Sequence, residues 1–204
     1  MPQTLSSLTE FWSHLEGPVH PEDARYFLER PDVAALLQTN FIPSAFFGDV
    51  ENAKVILCYG NGGAEDEQAF YRSPQMQAAL LSHIRKPGPI DPDRFFTYFS
   101  GEWHTQLIRD GQAALVNAVA YRSVNMNALT DANMKGIPSV RIARNWIKTA
   151  CAEAAAGRRL VVLQRRRLWG VKAHPAPGVV FATNPVSKSL SKETRAAIET
   201  FLNC

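Results

Sequence analysis

The chain has 204 residues, which is the length of a single domain. Hydrophobic residues make up 46% of the chain and charged residues 20%. This composition supplies enough apolar side chains to bury a core, and it excludes a disordered or collagen-like protein. The 22 basic and 19 acidic residues give a net charge of +3, a weakly basic balance that permits nucleic acid as a partner without arguing for it.

The sequence predicts a cytoplasmic protein. No apolar run approaches the about 18–20 residues that a membrane-spanning helix needs. Residues 1–5 contain no basic segment followed by an apolar one, so we expect no secretion signal. The cysteines, Cys58, Cys151 and Cys204, are odd in number and far apart. They form neither a CxxC pair nor a disulfide framework, which is typical of a reducing compartment.

The first forty residues predict helices that pack across the main body of the protein. Apolar residues recur at helical spacing within residues 5–15. Prolines then interrupt this pattern, and a second, short helix is predicted over residues 32–38, directly after Pro31. We therefore expect residues 1–204 to form one domain, with residues 1–40 as a helical segment packed on it.

Four short apolar runs predict buried strands. Each is too short for a typical helix, and the first ends at a cluster of glycines. The runs cover residues 53–59, 114–120, 159–164 and 179–183.

Helical patterns lie between and after these runs. The clearest covers residues 139–156, where apolar residues form one stripe and Gly157 stands at the position of a C-cap glycine. Residues 191–202 show the same pattern. Buried strands that alternate with helices are typical of a parallel sheet covered by helices, so the sequence predicts a three-layer α/β/α domain.

In such a sheet, ligands bind beyond the carboxyl ends of the strands. The segments that follow the four runs are polar, glycine-rich and basic, and they are the first places to look for a site. They are residues 60–63, 121–123, 165–170 and 184–187.

The loop after the first run is rich in glycine. Gly60, Gly62 and Gly63 would let the backbone approach a ligand closely. A dinucleotide fingerprint would need a third glycine where Glu65 stands, and the sequence contains no Walker loop or nucleophile elbow. A tight strand-to-helix turn is the alternative interpretation of this loop. The side-chain amide of Asn61 could orient a water molecule or a leaving group, but it could not act as a general base at neutral pH.

Several of these segments together resemble the uracil-DNA glycosylase superfamily. Residues 47–57, followed by Asn61-Gly62-Gly63, are similar to the first motif of a little-characterised bacterial branch, which has the form GDP-x-NAKVILLGLNPG. Three later segments keep the family order, and the resemblance runs from about Phe41 to Ser191. These segments are Tyr121-Arg122-Ser123, Leu168-Trp169-Gly170 and residues 184–191, the last of which resembles the second active-site motif.

The resemblance implies a four-stranded parallel sheet and a DNA base flipped into a pocket at the strand ends. By this resemblance, Asn61 would position the attacking water and Asn184 would donate a hydrogen bond to the departing pyrimidine anion. Ser187, with Pro185, would press on the DNA beside the flipped nucleotide.

The remaining site residues follow from the same loops and motifs. The alternative interpretation of Phe70 and Tyr71 is packing on the face of a helix. The alternative interpretation of the arginines after the third run is a solvated strand end. The predicted substrate-binding residues are Gly60, Gly62, Gly63, Phe70, Tyr71 and Ser123, and the predicted DNA-binding residues are Arg122, Arg165, Arg167, Pro185, Ser187, Lys188 and Ser189.

The function implied is hydrolysis of the N-glycosidic bond of a damaged, uracil-like base in DNA, without a metal or other cofactor. Neutral donors aimed at the base suit this reaction, because negative charge develops on the departing base. The histidines lack metal-binding spacing, so we expect them at surface or connector positions. Three scattered cysteines cannot supply the four ligands of an iron–sulfur cluster.

Two alternatives stay open. Gly62 stands where the first motif usually has Pro, and Asn184 where the second often has His. These departures favour a catalytically degenerate member of the same fold that binds nucleic acid or a nucleotide. The other alternative is a small-molecule-binding α/β domain unrelated to DNA.

Overall fold

The structure, a computed structural model, describes residues 6–61, 73–91, 101–123, 128–171, 176–184 and 189–204. Its first helices are α1 (Ser6–Ser13), α2 (Pro21–Glu29) and α3 (Pro31–Ala34). Helix α1 confirms the first predicted helix, and α3 is shorter than the helix predicted over residues 32–38. Helix α2 was not predicted, because Pro21 was interpreted as an interruption. Pro21 is instead the first residue of this helix, where a missing N–H costs nothing.

The four apolar runs form strands. They are β2 (Val55–Tyr59), β3 (Ala113–Asn117), β4 (Leu160–Leu163) and β5 (Val179–Phe181). Every residue of β2, β3 and β4 is buried. Both faces of the sheet are therefore covered by other parts of the chain.

The sheet has five strands in the order β1-β3-β2-β4-β5, where β1 is Phe46–Phe47. Strand β2 is parallel to both β3 and β4, and β4 is parallel to β5, whereas β1 pairs antiparallel with β3. The structure therefore confirms the α/β class, with a mixed and mostly parallel sheet. The sequence did not predict β1, because two residues are too few to show a strand periodicity.

The later described helices are α4 (Pro74–Arg85), α5 (Trp103–Arg109), α6 (Asp131–Gly136), α7 (Pro138–Ala155) and α8 (Lys192–Leu202). Helix α7 confirms the clearest helical prediction, and Gly157 has a φ of 73° just after its end, which suits a glycine C-cap. Ser191 caps α8 by accepting a hydrogen bond from the amide of Thr194 at 3.2 Å. None of the described helices combines the length and apolar character that crossing a membrane requires.

Helices lie on both faces of the sheet. Helix α5 supplies His104, whose ring lies 6.1 Å from that of Tyr59 on one face, and α8 joins α5 there through Arg195, which lies over the ring of Trp103. Helix α7 contacts β4 and β5, and its Cys151 lies near Cys58, whose side chain points to the opposite face from that of Tyr59. Helices α1, α2 and α6 contact α7, so the N-terminal segment shares the core of the sheet.

A buried cluster of polar groups, the Asp23 cluster (Asp23, His20, Tyr121 and Ser139), joins α2 to α7 and to the loop after β3. The Tyr121 hydroxyl donates to one carboxylate oxygen of Asp23 at 2.6 Å, and the Ser139 amide donates to the other at 2.9 Å. The His20 amide donates to the Tyr121 hydroxyl at 3.1 Å. Burial raises the pKa of Asp23 above its ordinary value, while the bonds from Tyr121 and Ser139 oppose this shift.

Candidate functional site

The carboxyl ends of the four parallel strands meet at one edge of the sheet. From β2 the chain passes to β3 on one side, whereas from β4 it passes to β5 on the other side. Strands β2 and β4 are neighbours, so their outgoing connections diverge, and the topology predicts a crevice beyond their ends. In open α/β sheets, ligands bind at such a divergence.

Asn61 and Asn184 lie at this edge. Cys58, Leu163 and Phe181 are aligned across β2, β4 and β5, and Asn61 and Asn184 are each the third residue after that aligned row. Strands β2 and β5 are two strand spacings apart, about 10 Å. Asn61 is half-buried and Asn184 is exposed. The fold therefore brings the two predicted amides to a common edge, on either side of β4.

Gly60 lies where the loops after β2, β3 and β4 meet. Its carbonyl accepts a hydrogen bond from the amide of Val119 at 2.9 Å. A Cβ atom at Gly60 would lie 3.1 Å from Leu168 Cδ1 and 3.2 Å from Arg165 Cδ, which is tighter than ordinary packing. The turn after β4 therefore covers the end of β2, and only a glycine fits there without displacing neighbouring side chains.

The turn after β4 begins with an unusual backbone conformation. Arg165 has a φ of 45°, in the left-handed region that non-glycine residues rarely adopt. Such residues often lie at functional sites, where the surrounding structure maintains the strain. Arg165 is half-buried, and Arg166 and Arg167 are exposed, with the Arg166 guanidinium 5.2 Å from the centre of the Phe181 ring. The rim of the crevice is therefore positively charged.

The loop after β3 places its predicted site residues in the interior. Arg122 is 4% exposed and Ser123 is 3% exposed. The Arg122 carbonyl accepts a hydrogen bond from the Gln38 amide at 2.8 Å, which ties this loop to the N-terminal segment. Arg122 was predicted to contact DNA, and in the structure it is buried, unlike the exposed Arg167.

Ser189, from the second motif, contacts the start of α5. Its hydroxyl donates to the carboxylate of Glu102 at 2.9 Å, and Glu102 directly precedes that helix. The chain after β5 therefore returns to the face of the sheet on which α5 lies. The other predicted residues of these loops fall outside the described residues; they are Gly62, Gly63, Phe70, Tyr71, Pro185, Ser187 and Lys188.

The carboxyl edge also holds polar residues that were not predicted as site residues. Tyr59 is aligned with Asn117 across β2 and β3. Cys58 is aligned with Leu163 across β2 and β4, so the next residues, Tyr59 and Gln164, are aligned as well. Tyr59, Asn117 and Gln164 therefore occupy one row at the carboxyl edge. Side chains in one row of a parallel sheet point to the same face. We call these three residues the polar row; all are at least 96% buried.

Two atoms of the polar row have no hydrogen-bond partner among the described residues. They are Oδ1 of Asn117 and Nε2 of Gln164. The side-chain nitrogen of Asn117, Nδ2, donates to the Ser44 carbonyl at 2.6 Å, which fixes the orientation of that side chain. A polar residue within an apolar strand run was the sequence signal for Asn117 and for Gln164.

His104 lies on the same face as the polar row. It is fully buried, and its ring is 6.1 Å from that of Tyr59. Burial lowers the pKa of His104 to about 4, an effect that Glu102 opposes and Arg195 reinforces. The imidazole is therefore neutral at pH 7. The expectation that the histidines lie at surface or connector positions was wrong for His104 and His83, which lie buried within helices, whereas His20 lies in the connector before α2 and is buried there.

The chemistry available at this edge is that of neutral hydrogen-bonding groups inside a cationic rim. The amides of Asn61, Asn117, Gln164 and Asn184 follow or end the four parallel strands. No Asp or Glu occurs in residues 60–61, 118–123, 164–171 or 182–184. Within the described parts of the chain, no three His, Cys, Asp or Glu side chains lie close enough to hold a metal ion. Such a set can bind a neutral heterocycle and stabilise charge that develops on it.

Two open clefts lie elsewhere on the described surface. One, of about 510 Å³, lies between α1 and the start of α2. The other, of about 530 Å³, lies between α1 and the end of α4. Neither is lined by Asn61, Asn184 or the polar row.

The chain matches no protein-family model, no curated protein and no solved structure. The short motifs quoted above are therefore the basis of the resemblance to the glycosylases, and the geometry of the carboxyl edge is the independent ground for a functional hypothesis.

Proposed function

We propose that this protein is a DNA glycosylase-like hydrolase that removes a damaged, uracil-like pyrimidine from DNA. The observation that carries the proposal is the placement of Asn61 and Asn184. They are distant in sequence, yet each is the third residue beyond one aligned row of the sheet, and they lie on either side of β4. A base extruded from the DNA helix would enter the crevice between them.

The proposed reaction adds water across the N-glycosidic bond. The bond between the sugar C1′ and the base nitrogen breaks, and its electron pair leaves with the base. The water oxygen bonds to C1′, and the water proton is lost to the surroundings. Asn61 orients this water, and the Asn184 amide donates to the base as negative charge develops on it. Preorganised neutral donors of this kind stabilise the transition state more than the bound substrate.

Asn117 adds a contact to the base in this proposal. Its Oδ1 is buried, lacks a partner among the described residues and lies at the same edge. An acceptor in this position suits the ring N–H of an oxo-pyrimidine. The neutral His104 near Tyr59 adds no charge of its own to this face of the sheet, which is compatible with a neutral heterocycle.

The fold and the rim are compatible with the proposal. The resemblance implies four parallel strands, and β2 to β5 run parallel, with the short antiparallel β1 as an addition. The exposed Arg167 and the half-buried Arg165 border the crevice, where guanidinium groups would hold DNA phosphates. Ser189 would contribute to the same DNA-facing surface.

A second candidate is a protein that binds nucleic acid without cleaving it. The specific observation in its favour is that the described residues after the strands carry no carboxylate that could act as a general base. Gly62 and Asn184 in the motifs, in place of Pro and His, favour the same interpretation.

The test is incubation of the purified protein with oligonucleotides that contain one uracil, hypoxanthine or xanthine, followed by alkaline cleavage at abasic sites. We expect abasic product from the uracil substrate. The substitutions Asn61→Ala and Asn184→Ala should each lower kcat by about 10²–10³, because each removes a group that acts in the transition state. Asn203→Ala, an exposed amide after the end of α8, is the matched control and should retain full activity.

Absence of abasic product from the wild type with every substrate would refute the glycosylase proposal. Salt-dependent DNA binding that survives the double substitution of Asn61 and Asn184, without cleavage, would establish the second candidate.

A further inference from the structure

Gln164 is a buried carboxamide whose donor group finds no acceptor among the residues that the structure describes. The residue is 3% exposed, and its Nε2 has no partner among the described residues. A buried polar atom that has lost water and gained no other partner destabilises the folded protein. A methionine or leucine would fill the same space without that penalty. The amide therefore needs an explanation other than packing.

The backbone directs Gln164 toward the candidate site. Its backbone N–H donates to the Cys58 carbonyl at 2.9 Å and so continues the hydrogen bonding between β4 and β2. Gln164 therefore keeps the alternation of the strand, and its side chain shares a face with those of Tyr59 and Asn117. The next residue, Arg165, takes the left-handed conformation and ends the strand at once. Gln164 is thus the last side chain on that face of β4, next to the crevice.

The two unpartnered atoms of the polar row are complementary in kind. Asn117 presents an acceptor, Oδ1, from β3, and Gln164 presents a donor, Nε2, from β4. Tyr59 of β2 lies between them in the row, so the two atoms do not face neighbouring atoms of one base edge. The Gln164 donor suits the carbonyl oxygen of an oxo-pyrimidine, whereas cytosine carries an amino group at the corresponding position, so this contact would be mismatched.

We infer that Gln164 is a specificity-determining residue of the base site, which donates a hydrogen bond from Nε2 to a carbonyl oxygen of the base and so favours oxo over amino pyrimidines. This inference rests on the proposed function, and it adds a residue that neither the motifs nor the resemblance includes.

The experiment compares Gln164→Met, which keeps the length of the side chain and removes the donor, with the wild type. A matched control is Gln112→Met, an exposed position at the amino end of β3. Equilibrium binding is measured with oligonucleotides that carry one mismatched uracil or one mismatched cytosine. Thermal unfolding of the ligand-free proteins is measured in parallel.

We expect Gln164→Met to weaken binding of the uracil oligonucleotide by about 10- to 100-fold, with little change for cytosine, because a site with an unmet polar contact discriminates strongly. The Tm of the ligand-free variant should rise by about 2–4 °C, because the unpartnered donor is gone. Gln112→Met should change neither quantity.

Three outcomes would overturn the inference, and they are distinguishable. A fall in Tm for Gln164→Met would identify a structural role for the amide. Unchanged uracil binding by that variant would remove Gln164 from the site while leaving the proposed function standing. If the wild type itself fails to bind uracil-containing DNA, the proposed function fails, and the specificity role fails with it.

Discussion

The Asp23 cluster and the polar row are two buried polar regions of one domain, and they differ in how their hydrogen bonds are satisfied. Both carboxylate oxygens of Asp23 accept hydrogen bonds from groups on other elements. In the polar row, Asn117 Oδ1 and Gln164 Nε2 have no partner among the described residues. The first arrangement is that of a group that holds the fold together. The second is what we expect of groups that hydrogen-bond a ligand, as proposed above, at a cost in stability.

The largest expected effect on stability comes from a substitution in the Asp23 cluster. Asp23→Ala should lower the free energy of unfolding by about 4 kcal/mol, because the Tyr121 hydroxyl and the Ser139 amide are left buried without their acceptor. Urea denaturation at pH 7 measures the change. Asp32→Ala, at an exposed aspartate paired with Arg30, is the matched control and should leave the urea midpoint unchanged. An Asp23→Ala midpoint equal to that of the control would show that the cluster is not a structural anchor.

The next effect is the loss of stability at low pH that the buried His83 causes. Burial lowers the pKa of His83 from 6.5 to about 4. Between these values the unfolded chain binds a proton and the folded protein does not. The stability that depends on neutral His83 is therefore present above about pH 6.5 and is lost as the pH falls toward 4, by about 3 kcal/mol in total.

This prediction is checked with His83→Phe, which removes the titrating group beside Phe46 and Phe47. The difference in unfolding free energy between variant and wild type should grow in favour of the variant from pH 7 to pH 4. Contributions from His104 and Asp23 cancel in this difference, because both proteins share them. Parallel stability curves over that range would contradict the prediction.

The smallest expected effect on stability lies in the polar row. Asn117→Leu removes the unpartnered Oδ1, which favours folding, and also removes the donor to the Ser44 carbonyl, which opposes it. We expect a net change below about 1 kcal/mol, together with a loss of at least 10-fold in affinity for uracil-containing DNA. A large loss of stability would mean that the polar row resembles the Asp23 cluster after all.

The sequence predicted the elements whose signal is local. The four apolar runs became strands, and α7 and α8 were recognised from their stripes and from Gly157. Strand β1 was missed because Phe46 and Phe47 become a strand only through pairing with β3. That pairing joins residues far apart in the chain, so no local pattern announces it.

The candidate site was predictable to a similar degree. Asn61 and Asn184 lie in loops that follow strand runs, and the resemblance to the glycosylase motifs singled them out within those loops; the shared edge then results from the parallel pairing. The buried state of His104 depends on how α5 packs against Tyr59, and a single histidine on a seven-residue helix carries no sign of it. Asn117 and Gln164 were visible as polar residues in apolar runs, but their unmet hydrogen bonds exist only in three dimensions.

The short antiparallel strand β1 has a consequence for association between molecules. It covers the outer side of β3 and so occupies one border of the sheet. The opposite border of the described sheet is β5, which offers only three residues of extended backbone to an incoming chain. Exposed borders are where sheets of separate molecules fuse into aggregates. Because β5 is so short, it offers few backbone hydrogen-bond partners to a strand of another molecule, which disfavours aggregation through this edge.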